Sequence, residues 1–173
     1  MGLTFSVANP QDVFSDPFGD VVAETLRSIF GDEMELDSTA APFCSVELGW
    51  SGWRQLQERA AAACGSEAIP HFLSMEAWRG VFLPVETEAG MIQFPDDPTP
   101  LSVACLERLI DELEKIGTAL DLPTSDDELQ KLAARYLDND DLIDDDMDIQ
   151  TFAALLPSTR IAKERNQPLW VVK

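Results

Sequence analysis

An apolar stripe within residues 101–122 constrains the fold of this chain more than any other segment. Six apolar residues recur there at intervals of three or four: Leu106, Leu109, Ile110, Leu113, Ile116 and Leu120. This spacing places them on one side of an α-helix. Thr99 is suited to cap the first turn, and Pro100 suits the first helical position, where an N–H has no intrahelical partner. The sequence therefore predicts a core helix that begins near residue 101.

The rest of the chain predicts short strands and further helices around this core helix. Alternating or β-branched runs favour strands at residues 3–7, 43–50, 81–85, 91–94 and 169–172. Residues 81–85 and 91–94 are expected to pair as a hairpin, with Pro84 placing the first of them at a sheet edge. Helical spacing predicts helices at 17–30 and 52–64, ended by Gly31 and Gly65.

The second half of the chain predicts two more helices. One begins at the Ser125–Glu128 capping box, and the other begins at Ile149 and is interrupted or restarted at Pro157. Residues 32–42 are interpreted as an exposed loop, and residues 69–78 as a short helix or an irregular segment. The prediction is a single α+β domain spanning residues 1–173, with about five helices packed on a small antiparallel or mixed sheet of four to five strands.

The charge of the chain limits its partners. Thirty-two acidic residues against twelve Lys and Arg give a formal net charge of −20. Such a chain repels DNA, RNA and anionic lipid, and it attracts basic proteins and cations. We therefore expect a basic protein partner, no nucleic acid and no membrane. The first residues have no basic segment and no long apolar run, so the expected location is the cytoplasm.

The densest acidic segment, residues 138–148, holds seven aspartates and no base. An EF-hand loop needs Gly at its sixth position, but a loop starting at Asp138 or at Asp144 has isoleucine there. A looser cation site, a solvated connection between helices and a partner-binding patch remain as interpretations. The function hypothesis is based on the partner-binding patch, whose predicted residues are Asp138, Asp140, Asp141, Asp144, Asp145 and Asp146. No cofactor or metal is predicted.

Candidate catalytic and ligand-binding residues are few. His71 is the only histidine, and no nucleophile motif surrounds it. Trp50, Trp53, Arg54 and His71 form a hypothetical ligand cleft, since aromatic rings with one cation can line a pocket, although core packing is the simpler interpretation of the tryptophans. Phosphate-cradle and serine-hydrolase motifs are absent, so an enzyme is the less favoured class. The three cysteines show no C-x-x-C spacing and are interpreted as buried thiols.

Taken as a whole, the chain resembles small acidic bacterial proteins that act as immunity partners of secreted polymorphic toxins. The resemblance rests on size, acidity, the mixed α+β pattern and the lack of catalytic motifs, and it assigns no individual residue. It implies a protein-binding module that inhibits a basic toxin through an acidic surface. Two alternatives stay open: an enzyme or small-molecule-binding protein that uses the tryptophan cleft, and a DNA mimic with carboxylates spaced like phosphates.

Overall fold

A mixed seven-stranded sheet is the middle layer of the computed structural model, which describes residues 2–75, 79–137 and 146–172. Its strands are β1 (Gly2–Val7), β2 (Phe43–Cys44), β3 (Leu48–Gly49), β4 (Arg79–Leu83), β5 (Gly90–Phe94), β6 (Asp97–Cys105) and β7 (Leu169–Val172). The order across the sheet is β2-β1-β7-β4-β6-β5, and β3 pairs with β1. Strands β4 and β6 run parallel, and the other described pairs are antiparallel.

Helices cover both faces of this sheet. They are α1 (Pro10–Val13), α2 (Phe18–Phe30), α3 (Trp50–Cys64), α4 (Pro70–Ser74), α5 (Leu106–Ala119), α6 (Asp126–Leu137) and α7 (Met147–Arg165). Side chains of α3 to α7 pack on one face, against Phe82 and Leu169, whereas α2 packs on the other face, against Val81 and Trp170. The α+β class is thus confirmed. The described residues contain more helices and more strands than predicted.

The local signals at several helix and strand ends are confirmed. Helix α2 ends at Gly31 and α3 ends at Gly65, both with a positive φ that favours glycine. The expected strands at the two ends of the chain are β1 and β7, which pair with each other. None of the described helices is both long and apolar enough to cross a bilayer.

The predicted start of the core helix is wrong. Residues Asp97–Cys105 form strand β6, so Thr99 and Pro100 lie in a strand, and α5 begins only at Leu106. The consecutive residues 101–105 are all buried between the two helical layers. A strand covered on both faces shows no apolar-polar alternation, so its sequence can be mistaken for part of a helix. The stripe itself is buried at Leu109, Leu113 and Ile116, as predicted.

The predicted hairpin between residues 81–85 and 91–94 is also wrong. Strand β6 lies between β4 and β5, pairing in parallel with the first and antiparallel with the second. Strand β4 is therefore interior to the sheet rather than at its edge. It ends at Leu83, so Pro84 comes after the last paired residue and removes no ladder hydrogen bond.

Three smaller predictions are also revised. Helix α7 continues through Pro157 without a restart. Residues 32–42 form no helix or strand, but Met34 and Leu36 are buried, so the segment is not exposed throughout. Only Cys105 is a buried thiol, since Cys64 is half-buried and Cys44 is exposed.

Candidate functional site

A predominantly acidic surface lies on α1, α2 and the loop after α2. Residues 2–49 contain nine acidic side chains and a single base, Arg27. Eight of these acids belong to this layer and every one is exposed: Asp12, Asp16, Asp20, Glu24, Asp32, Glu33, Glu35 and Asp37. We call this set the acidic face.

The helical part of the acidic face follows from the amphipathic sequence of α2. Val22, Ala23 and Leu26 are buried against the sheet, at the three- and four-residue spacing of one helix side. Asp20 and Glu24 therefore point to solvent. Asp20 is also in the first turn, where a negative charge stabilises the helix dipole.

The loop part of the acidic face is fixed by buried side chains and by hydrogen bonds. Met34 and Leu36 are buried in the small core under α2, so Glu33 and Glu35, which flank Met34, face outward. The backbone N–H of Glu35 donates to the Asn166 carbonyl at 2.8 Å, and the Asn166 side-chain amide donates to the Glu33 carbonyl at 2.6 Å. The backbone of this loop is consequently held in place by contacts within the protein.

Little of this negative charge is compensated within the protein. Arg27 pairs with Asp37, and no described basic side chain pairs with the other seven acids of the face. The core helix differs, because Glu107 pairs with Lys163 at 2.5 Å. That lysine lowers the pKa of the Glu107 carboxyl group, first through the hydrogen bond and then through its charge. The acidic face therefore repels itself and attracts external cations.

Two large apolar side chains are exposed on the same helix. Val21 is 41% exposed and Ile29 is 54% exposed. Together with Thr25 between them they occupy three successive turns of α2. In a protein interface, apolar side chains at the centre contribute to affinity and charges at the rim orient the two proteins, so a surface with both kinds of side chain can serve as one.

This surface was not predicted from the sequence, although a signal was present. The predicted patch rests on the density of aspartates in residues 138–148, whereas the acids of residues 2–49 are more dispersed along the chain. The presence of nine acids and one base in that segment is visible from the sequence. Only the fold shows that residues 12–24 and 32–37 share one layer.

Most of the predicted partner-binding residues fall outside the described part of the chain. Asp138, Asp140, Asp141, Asp144 and Asp145 lie there, and their role stays a prediction. Asp146 is the N-cap residue of α7 and is half-buried. Asp148, the last residue of the same acidic run, is buried and pairs with Arg59 of α3.

The structure does not bring Trp50, Trp53, Arg54 and His71 together at an open cleft. Trp53 is buried in the core with its ring against Phe5 and Phe72, so it has no surface to offer a ligand. Trp50 is half-buried against the same core. Arg54 is exposed and pairs with Glu58 one turn along α3. Neighbouring positions of one helix point in different directions, which separates these side chains.

His71 has a structural position between α4, β6 and α5. Its Nδ1 accepts a hydrogen bond from the Cys105 backbone N–H at 3.2 Å, so the proton of the neutral ring is on Nε2. The buried carboxylate of Glu112 accepts the backbone N–H groups of His71 and Phe72 at 3.1 and 2.7 Å. Burial raises the pKa of Glu112, and these two hydrogen bonds oppose the rise. Nδ1 is thus engaged and is not available as a general base.

The depression beside His71 has a volume of about 310 Å³ and mixed charge, with Glu86, Arg108 and Lys115 in its lining. Glu86 already pairs with Arg108 at 2.9 Å. Among the residues that the structure describes, no group of three or more His, Cys, Asp or Glu side chains is arranged to hold a metal ion. Comparisons with protein-family models, curated proteins and solved structures find no significant match to this chain.

Proposed function

We propose that this protein binds a basic protein through the acidic face and acts by binding rather than by turnover. One observation carries the proposal: seven exposed acids lack a described basic partner and are held on a well-anchored layer beside Val21 and Ile29. Attraction between opposite charges accelerates the encounter of the two proteins. Burial of Val21 and Ile29 would then stabilise the complex, by less than the roughly 1.5 to 3 kcal/mol of a fully exposed side chain, because each is already partly covered.

The fixed loop supports the same proposal. A surface that is already ordered loses little conformational entropy on binding, which favours affinity. The aspartates of residues 138–146 are a second candidate region for the same basic partner. Inhibition of a toxin, implied by the resemblance to immunity proteins, is the biological role we propose for this binding.

The test compares two variants with equal charge. The face variant carries Asp20→Asn, Glu24→Gln, Glu33→Gln and Glu35→Gln. The control variant carries Asp127→Asn, Glu67→Gln, Glu114→Gln and Glu164→Gln, four exposed acids for which the structure describes no ion pair. Each variant replaces one aspartate in a first helical turn and three glutamates, so both change the net charge from −20 to −16.

Wild-type and variant proteins are immobilised and exposed to lysate of the source cell, and bound proteins are identified by mass spectrometry. The expected result is a basic protein retained by the wild type and by the control variant and depleted on the face variant. Equal retention by all three baits would show that the acidic face is not the interface. Equal depletion on both variants would show attraction by net charge alone, which also contradicts the proposal.

Inhibition and DNA mimicry are tested on the partner captured in this way. Co-expression with the wild-type protein should restore growth of cells that produce the partner, and co-expression with the face variant should not. If duplex DNA that binds the partner displaces it from this protein, and displacement rises with the fraction of partner bound to DNA, the face acts as a DNA mimic. Failure of DNA to compete would exclude this alternative.

A further inference from the structure

We propose that the free edge of β5 takes up an extended segment of a basic partner as an added strand. The proposal rests on the proposed function for the basic character of the partner. Beyond the acidic face, it assigns a second contact surface to this protein, and it specifies that one segment of the partner binds in an extended conformation.

Strand β5 is an open edge of the sheet. Among the described strands only β6 pairs with it, so the backbone groups on its outer side have no described strand partner. Such a row of N–H and C=O groups is a template for another strand. The opposite edge is formed by β2, which has only two residues. A short edge is protected from pairing, whereas β5 has five residues.

The residues of β5 do little to protect this edge. The sequence from Gly90 to Phe94 contains no charged residue and no proline. A register shift lies between Ile92 and Phe94, and residues 90–92 pair regularly with β6. Met91 is 57% exposed, and a Cβ added at Gly90 would meet no atom within 4 Å. Gly90 and Met91 are therefore exposed on this edge strand.

One face of β5 adjoins the acidic face. Ile92 and Phe94 pack into the small core under α2, and the rings of Phe94 and Phe18 are 5.2 Å apart. Phe18 is the first residue of α2, between the exposed acids Asp16 and Asp20. A strand added to β5 would thus run beside the N-terminal turn of α2.

The charges at the ends of β5 favour a basic segment. Glu88 precedes the strand and Asp96 follows it, both are exposed, and the structure describes no base paired with either. The neighbouring acids are already engaged, because Glu86 pairs with Arg108 and Asp97 pairs with Arg79. An added strand with a cation at each end matches this pattern. A second copy of the chain does not, because antiparallel pairing would bring Glu88 of one copy near Asp96 of the other and oppose two charges of −20.

The test uses a synthetic peptide in which alternating threonine and valine residues are flanked by two lysines at each end. Two derivatives are N-methylated, one at the valines and one at the threonines. Only alternate N–H groups of an added strand face its neighbour, so one derivative should bind like the parent and the other about tenfold or more weakly. Hydrogen exchange at residues 90–94 should slow when the parent peptide binds. Equal affinity of the two derivatives, strong or weak, would overturn the proposal.

Matched variants locate the binding site. Met91→Lys should weaken binding of the parent peptide, whereas Val46→Lys, at a side chain that is 52% exposed, adds the same charge and should not. Equal effects of the two substitutions on peptide affinity would contradict the proposal. A lower dimer dissociation constant for the wild type than for Met91→Lys, measured by sedimentation equilibrium, would indicate self-pairing instead. Both variants also serve as baits for the captured partner. If Met91→Lys no longer binds the peptide but still retains that partner, the added-strand proposal is rejected. The acidic-face proposal is not affected by this result, because a different variant tests it.

Discussion

Leu113 and Glu114 are neighbours on α5 with opposite surroundings. Leu113 is fully buried in the large core, and Glu114 is exposed. Leu113→Ala should lower the free energy of unfolding by about 2 to 5 kcal/mol through lost burial and a cavity. Glu114→Ala should change it by no more than about 0.5 kcal/mol. Urea denaturation of both variants measures these changes in unfolding free energy. Similar small changes in the two variants would show that Leu113 is not part of the core.

Glu112 should make the stability depend on pH in an unusual direction. Because burial raises its pKa in the folded state, the folded protein keeps this proton at a pH where the unfolded chain has lost it. The contribution of Glu112 to stability is then complete below its unfolded pKa and is lost as pH rises through the folded value. Glu112→Gln removes this titration and keeps an amide oxygen that can accept a hydrogen bond.

The measurement is the unfolding free energy of the wild type minus that of Glu112→Gln, from pH 3.5 to pH 7.5. Subtraction removes the titration of the other acids, which both proteins share. This difference should fall as pH rises. A difference that stays flat would show that the hydrogen bonds from His71 and Phe72 cancel the effect of burial on this pKa, and a difference that rises would show that they outweigh it.

At the scale of elements, the crossing of α3 and α7 depends on Gly52. A Cβ added there would lie under 3 Å from the Met147 carbonyl oxygen and from Thr151 Oγ1. Gly52→Ala should therefore separate the helices and cost about 1 to 3 kcal/mol, although alanine favours a helix. Gly90→Ala, where nothing lies within 4 Å, is the control and should be close to neutral. Thermal unfolding of the Gly52→Ala and Gly90→Ala variants measures this difference. A Gly52→Ala variant as stable as the wild type would contradict close packing of the two helices at this position.

Mutual repulsion among the many acids of this protein should limit its stability. Changing Asp140, Asp141, Asp144 and Asp145 together to Asn should leave the melting temperature unchanged or higher, because the net charge falls from −20 to −16. If these residues also attract the basic partner, association should slow. Salt should slow association of the wild type similarly, since it screens exposed charges beyond about 8 Å at physiological ionic strength. A variant that is less stable and associates at the wild-type rate would show that the segment is structural.

Features that depend on local residue spacing could be predicted from the sequence. The apolar stripes of α2 and α5, the glycine ends of α2 and α3, and the terminal strands β1 and β7 are present where the pattern predicted them, apart from the start of α5. A helix buries residues three and four apart, so its signal is contained within a few turns. The net charge of −20 likewise follows from composition.

The order of the strands and the grouping of acids on one surface are apparent only in the folded protein. Strand β6 was hidden in a continuous apolar run because both its faces are covered, and its position between β4 and β5 depends on pairing with residues distant in sequence. The acidic face joins residues 12–24 to residues 32–37 because Met34 and Leu36 enter the same core as Leu26. Strand pairing and core burial are long-range contacts, and no local pattern of residues specifies which partner completes them.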